Sequence, residues 1–294
     1  MADGMHQTLG HPAKSFWTMV RNRWKQGFFL CVGLDSEYEK VARISHCAGV
    51  YEKVLEFNTR IIDATYSFAA CYKINAAFYE ALGDLGFLVV KATIDHIRKI
   101  APDTPVIYDA KRGDIDNSNN GYVRSVFNLM KADAITVHPY MGEESLQRFL
   151  EREEKGVIVL CRTSNKGANE FQDLDCGGQP LFMHVAANVA TRWNGRRNCG
   201  LVVGATYPKE LAMVRGMVGD LPILVPGVGK QGGTVVEVIK NGLDSRGEGL
   251  IINLSRDVIF ASEGENFAEA AGAKARQIHE EITRCREAVL AAKA

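Results

Sequence analysis

Several features are missing from this chain, and each absence narrows what it can be. Its 35 Lys and Arg are balanced by 35 Asp and Glu, for a formal net charge of zero. That removes the broad positive field with which nucleic-acid binders neutralise many phosphates, while leaving room for a local site for one small phosphate. No apolar run approaches the roughly 20 residues needed to cross a bilayer. The start, Met1-Ala2-Asp3-Gly4, has no basic stretch leading into an apolar one, so no secretory signal is expected. The seven cysteines form no C-x-x-C pair, and Cys31, Cys71 and Cys161 fall inside apolar runs. They read as small buried hydrophobes in a reducing compartment, not as a disulfide framework. The seven histidines show no metal-ligand spacing, so no metal site is expected. Internal repeats, low-complexity tracts and interdomain linkers are also absent. The expectation is a soluble cytoplasmic protein with neither a nucleic-acid nor a membrane partner.

What is present is ordinary globular material, 46% hydrophobic and 24% charged over 294 residues. Eight short apolar runs occur at 28–34, 69–74, 106–108, 134–137, 157–161, 200–203, 223–225 and 249–253. They are continuously apolar more than alternating, as parallel strands covered on both faces are. Helical periodicity marks 51–65, 85–100, 121–130, 181–193, 210–218, 234–239 and a long closing segment, 267–292. Alternating strands and helices predict an α/β fold, a single-domain (β/α)8 TIM barrel over 1–294. An extra helix over 14–25 is expected to cover the barrel bottom, residues 1–13 to be a mobile extension, and 165–179 to be a loop at the barrel top.

Such a barrel carries its functional groups at the carboxyl ends of its strands. Polar residues fall there repeatedly: Asp35 after the first run, Lys73 and Asn75 after the second, and Asp109 and Lys111 after the third. His138 follows the fourth, Arg162, Thr163 and Ser164 the fifth, and Arg256 the eighth. Side chains at i and i+2 of a strand share a face, which should aim Asp109 and Lys111 together. Asp114 lies beyond Gly113, and the polar run Asp116-Asn117-Ser118-Asn119 suggests that it leaves with a loop. Ending a core strand in charge is costly unless the charges pair, so a reactive site is expected here. Pro226-Gly227-Val228-Gly229-Lys230-Gln231-Gly232-Gly233 is glycine-rich and leads into a helix whose amino end favours an anion. With Arg256, it matches the usual phosphate position of such barrels. His138 is expected to pack structurally.

The hexamer Asp109-Ala110-Lys111-Arg112-Gly113-Asp114, followed by Ile115, resembles the catalytic signature of the orotidine 5'-phosphate decarboxylase family. The resemblance extends in the family's order through Lys73-Ile74-Asn75, Thr163-Ser164-Asn165, Val225-Pro226-Gly227 with Gln231, and Asn253-Leu254-Ser255-Arg256. It implies conversion of orotidine 5'-phosphate to uridine 5'-phosphate and carbon dioxide, with no metal or organic cofactor. It also implies that Lys73 and Asp35 hold the ribose and the Thr163-Ser164 segment the pyrimidine. On the same resemblance the loop from Pro226 is expected to close over the phosphate, with Gln231 bridging it and Ser255 and Arg256 beside it. The resemblance further implies a homodimer in which Asp114, Ile115 and Ser118 cross from a partner subunit. In some organisms the family is fused to orotate phosphoribosyltransferase, though nothing in these residues looks like that second domain. Asp116 and Ser255 stand where the family often has glycine, and Ser118 where it often has threonine.

The chemistry fits the residues. Loss of the carboxylate leaves negative charge at pyrimidine C6, and a fixed ammonium beside that carbon can stabilise the charge and supply the proton. Lys111 is the choice, with Asp109 set against the departing carboxylate. A magnesium-dependent sugar-phosphate decarboxylase or aldolase of the same barrel group shares the hexamer but uses a carboxylate after the second strand, where this chain has Lys73. A Schiff-base aldolase leaves the flanking aspartates unexplained. A nucleotide-binding module without turnover leaves intact Asp109, Lys111 and Asp114 unexplained.

Overall fold

A computed structural model describes residues 15–229 and 232–292. The expected extension over 1–13, and Lys230 and Gln231 in the glycine-rich loop, lie outside the described residues. Eight parallel strands close a barrel in sequence order. They are β1 (Leu30–Gly33), β2 (Ala69–Asn75), β3 (Val106–Arg112), β4 (Ala134–Val137), β5 (Gly156–Arg162), β6 (Cys199–Val203), β7 (Ile223–Pro226) and β8 (Leu250–Leu254). β1 pairs with both β2 and β8, which completes the ring. Every residue of β1, β4, β6 and β8 is buried, as expected for strands lined by side chains inside and helices outside.

The helix Phe16–Lys25 lies across the amino ends of the strands. Its Trp24 Nε1 donates to the Leu250 carbonyl at 2.7 Å, and Arg23 Nη2 donates to the Ala69 carbonyl at 2.6 Å. Phe16 and Trp17 press on strand starts that carry no side chain. A Cβ added at Gly156 would lie 2.3 Å from Phe16, and one at Gly200 would lie 2.8 Å from Trp17. The expected bottom cover is therefore present, and it begins after a Ser15 cap.

β3 departs from the expected 106–108 by running on to Arg112. Tyr108 pairs with Ile135 and Arg112 with Val137, so Asp109, Ala110 and Lys111 stand opposite Thr136 alone. Within this bulge Lys111 has φ of 50°. The strict i, i+2 alternation expected for Asp109 and Lys111 is thus broken, although their side chains still meet.

The helices expected at 51–65, 85–100, 181–193, 210–218, 234–239 and 267–292 form as Val50–Thr65, Asp84–Ile100, Leu181–Thr191, Pro208–Val218, Val235–Gly242 and Phe267–Ala291. The expected 121–130 element starts earlier. The polar run read as loop is the first turn of the helix Asp116–Val123, followed by a π-helical turn, Arg124–Leu129. The cause is Asn119, fully buried, whose Nδ2 donates to the Asp114 carbonyl at 2.6 Å and to the Ser145 carbonyl. Short helices at Tyr38–Ile44, Ala76–Glu80, Gly142–Leu150 and Arg256–Ile259 have too few apolar turns to stand out in the sequence.

Candidate active site

At the carboxyl ends of the strands lies a cavity of about 480 Å3 to which all eight contribute. Asp35 comes from β1, Lys73 and Asn75 from β2, Asp109 and Lys111 from β3, and Thr136 from β4. Leu160, Thr163, Ser164 and Asn165 come from β5, and Val202 from β6. Leu224 and Pro226 come from β7, and Asn253, Ser255 and Arg256 from β8. One wall is therefore charged, and the wall formed by Leu160, Val202 and Leu224 is apolar.

The charged wall is a chain of alternating sign. Lys73 Nζ lies 3.4 Å from Asp35 Oδ1 and 3.1 Å from Asp109 Oδ2. Lys111 Nζ lies 2.7 Å from Asp109 Oδ1, which also accepts from Thr136 Oγ1 at 2.7 Å. Burial alone would favour neutral forms, but the opposite charges prevail in both directions. Asp109 is held well below the usual carboxylate range by Lys73 and Lys111, and Lys73 is held above the usual lysine range by Asp35 and Asp109. Lys73 is almost fully buried, whereas the Lys111 side chain is 47% exposed and reaches into the mouth. One lysine anchors the network; the other presents its charge to whatever enters.

Asp35 rests on a polar network that the sequence reading did not find. Ser36 Oγ donates to Asn58 Oδ1 at 2.6 Å, and Asn58 Nδ2 donates to Tyr79 Oη and Thr93 Oγ1, each at 3.0 Å. Tyr79 Oη donates to the Leu34 carbonyl at 2.9 Å. These buried bonds tie three helices to the end of β1. Asn75 also caps the next helix, accepting from Ala77 N at 3.3 Å. Around Thr163, Gln172 accepts from the Thr163 backbone at 2.8 Å and donates to its hydroxyl at 2.9 Å, folding the long loop against the cavity. Arg162 is structural: buried, stacked 3.8 Å over Tyr207 and paired with Asp173 at 2.9 Å. His138 packs its ring against Gly113 and meets that residue's carbonyl at 3.1 Å.

At the end of the cavity expected to take a phosphate, the helix after the glycine-rich loop carries its own acid. The amino end of the helix Val235–Gly242 is capped by Thr234, whose hydroxyl accepts from Glu237 N at 3.2 Å and donates to Glu237 Oε2 at 3.0 Å. A carboxylate already answers that helix's positive end. The cavity instead reaches Ser255, Arg256 and Asp257 beside Gly227 and Val228. Arg256 is exposed, with no ion-pair partner among the described residues. Gly229 adopts φ of 86°, and a Cβ there would fall 2.0 Å from Asp257 Oδ2, so the β7 loop lies close over the segment after β8.

Ten of the expected site residues line this cavity: Asp35, Lys73, Asn75, Asp109, Lys111, Thr163, Ser164, Pro226, Ser255 and Arg256. Asp114, Ile115 and Ser118 do not. The Asp114 carboxylate accepts from Ile115 N at 2.7 Å, Ile115 is 56% exposed, and Ser118 lies exposed on the following helix. Thr136, Gln172 and Asn253 were missed as site residues. Only Asn253, inside the quoted Asn253-Leu254-Ser255-Arg256 motif, carried a signal.

Comparison with known proteins bears on the same residues. A family model described as Orotidine 5'-phosphate decarboxylase / HUMPS family matches residues 29–271. An orotidine 5'-phosphate decarboxylase of Azoarcus sp. (strain BH72) is 45% identical over 268 residues, covering 91% of this chain and 98% of that protein. One of Herpetosiphon aurantiacus is 48% identical over 243 residues, covering 82% and 88%. Among solved structures, Leishmania donovani OMP decarboxylase superposes with a TM-score of 0.80 at 37% identity, covering 92% of this chain and 98% of that one. L. donovani UMP synthase superposes with a TM-score of 0.83 at 39% identity; 93% of this chain is covered but 57% of the synthase, so the chain spans just over half its length. The matched span runs from the residue before β1 into the closing helix, and it takes in every residue of the charged wall: the chain belongs to the orotidine 5'-phosphate decarboxylase / HUMPS family.

Proposed function

We propose that this cavity decarboxylates orotidine 5'-phosphate to uridine 5'-phosphate and carbon dioxide, a step of de novo pyrimidine synthesis. The relatives named above support the reaction. The observation that carries it in this chain is Asp109 between two lysines on the wall of a cavity shared by all eight strands. The bond from C6 to the carboxyl carbon breaks, its electron pair stays on C6, and carbon dioxide leaves. Lys111 stabilises the developing charge and gives its proton to C6. Asp109 faces the substrate carboxylate and keeps Lys111 in place. Asp35 and Lys73 hold the ribose, with Asn75 beside them, and Thr163 and Ser164 hold the pyrimidine edge. Ser255 and Arg256, with Pro226 and Gln231 of the β7 loop, hold the phosphate. The sugar-phosphate rival is disfavoured because Lys73 stands between Asp35 and Asp109, where it would need a carboxylate for its metal.

Asp114, Ile115 and Ser118 complete the cavity of a second copy in a homodimer, and the enzyme works in the cytoplasm. No helix among the described residues is long and apolar enough to cross a membrane. The barrel's 57% share of the UMP synthase chain is what a fusion to a second catalytic unit would give.

The test is ultraviolet-monitored turnover of orotidine 5'-phosphate, with uridine 5'-phosphate and carbon dioxide measured as equimolar products. Lys111→Ala is expected to lower kcat by more than about a thousandfold while the variant still binds uridine 5'-phosphate. A parent without turnover, or a variant near the parental rate, overturns the reading.

A further inference from the structure

In the bulge of β3, three residues face one, and the one is a threonine. Thr136 is 1% exposed, yet its hydroxyl lies on the cavity wall. The oxygen does two things at once: it donates to Asp109 Oδ1 at 2.7 Å and accepts from the backbone N–H of Lys111 at 3.0 Å. A regular ladder would have satisfied that N–H with a β4 carbonyl. The bulge removes that partner, and Lys111 takes a left-handed backbone (φ 50°), which a side chain other than glycine adopts only when its surroundings impose it. Both groups held by Thr136 belong to the reactive pair.

We infer that Thr136 is a positioning residue for the decarboxylation, its hydroxyl clamping the Asp109 carboxylate to the strained backbone of Lys111 so that the Lys111 ammonium is aimed at C6. This rests on the decarboxylase reading above. The geometry sets a chemical requirement: the group at 136 must both donate and accept from one atom near Cβ. Serine meets it. Valine has threonine's shape but neither capacity, and would leave the Lys111 N–H without its acceptor and Asp109 Oδ1 with one donor fewer. Losing a donor to the charged carboxylate makes protonation of Asp109 easier.

The experiment compares the parent, Thr136→Val and Thr136→Ser. Thr136→Val is expected to lose about 30- to 100-fold in kcat, with KM and uridine 5'-phosphate affinity changed less than about threefold. Thr136→Ser is expected to recover kcat to within about fivefold of the parent. A role limited to packing gives the reverse pattern, because valine keeps the volume and serine loses a methyl group. A second readout does not depend on turnover: the Asp109 carboxyl, followed by carbon NMR of aspartate-labelled protein, should titrate at higher pH in Thr136→Val than in the parent and Thr136→Ser. An inactive parent sinks the decarboxylase reading, and the titration still decides whether Thr136 clamps Asp109. An active parent with Thr136→Val at near parental kcat, or unchanged Asp109 titration in Thr136→Val, overturns the inference.

Discussion

Asp109 receives three donors on two oxygens: Lys73 on one, Lys111 and Thr136 on the other. Burial opposes its ionisation, and the two ammonium groups reverse the outcome. The sign of the linkage follows. A carboxyl whose folded pKa lies below its unfolded value of about 3.9 contributes stability above that value and loses it as pH falls towards the folded value. Lys73, raised above about 10.4, contributes below that pH and loses its share only as pH rises through the folded value. Between those limits the pair is insensitive to pH. Asp109→Asn leaves buried Lys73 with Asp35 alone, at 3.4 Å. It should cost about 3 kcal/mol in denaturant unfolding between pH 5 and pH 8, the scale of a broken buried pair. That gap should narrow as pH drops below about 4, because the unfolded parent then takes up a proton at Asp109 that the folded parent, held ionised by its two lysines, does not. A gap of equal width at pH 7 and pH 2.5 would show that the neighbouring lysines do not hold Asp109 ionised.

At the scale of elements, what could be read from the chain depended on whether the signal was local. Strand positions rest on continuous apolar runs, and strand ends on the charge that follows them, so Asp35, Lys73, Asp109 and Arg256 could be placed from neighbouring residues alone. Thr136 could not, because it lies inside an apolar strand and its partners are on β3. Gln172 could not, because its partner Thr163 is reached only when the long loop folds back. The Asp116-Asn117-Ser118-Asn119 run misled for a similar reason. Its polarity argues for a loop, but Asn119 finds two buried carbonyls and makes the segment helical, with Asp116 taking φ of 44° at a position where the family often has glycine. Ser255, the other departure from glycine, fits because Gly33 leaves space across the β1–β8 seam; a Cβ there would lie 2.0 Å from Ser255 Oγ. The barrel bottom allows a cleaner test of separate roles. Trp24 is buried at the end opposite the cavity. Trp24→Ala should lower stability by about 3–5 kcal/mol yet leave kcat per folded molecule unchanged. A matching loss of kcat at temperatures where the variant is fully folded would show that the two ends of the barrel are coupled.

The whole molecule leaves Asp114 unused in its own cavity. The carboxylate accepts from the next backbone amide, and large apolar side chains of the same end of the barrel stay exposed among polar ones: Ile115 is 56%, Met141 48% and Tyr140 89% exposed. Exposed apolar groups such as these, beside an acid with no role in its own cavity, fit a surface that another protein covers. In the homodimer proposed above, that protein is a second copy, and two-fold symmetry makes the exchange mutual: each Asp114 enters the partner's cavity. Consider homodimers of Lys111→Ala and of Asp114→Ala, each nearly inactive, mixed in equal amounts under conditions that exchange subunits. Every mixed dimer has one cavity carrying both lesions and one carrying neither. Random exchange makes about half of the dimers mixed, and half of their cavities are intact, so activity should return to about a quarter of the parental value. The measurement pairs turnover with differently labelled subunits that report exchange independently. Exchange without recovered activity would mean that Asp114 serves its own chain and that the cavities are not shared.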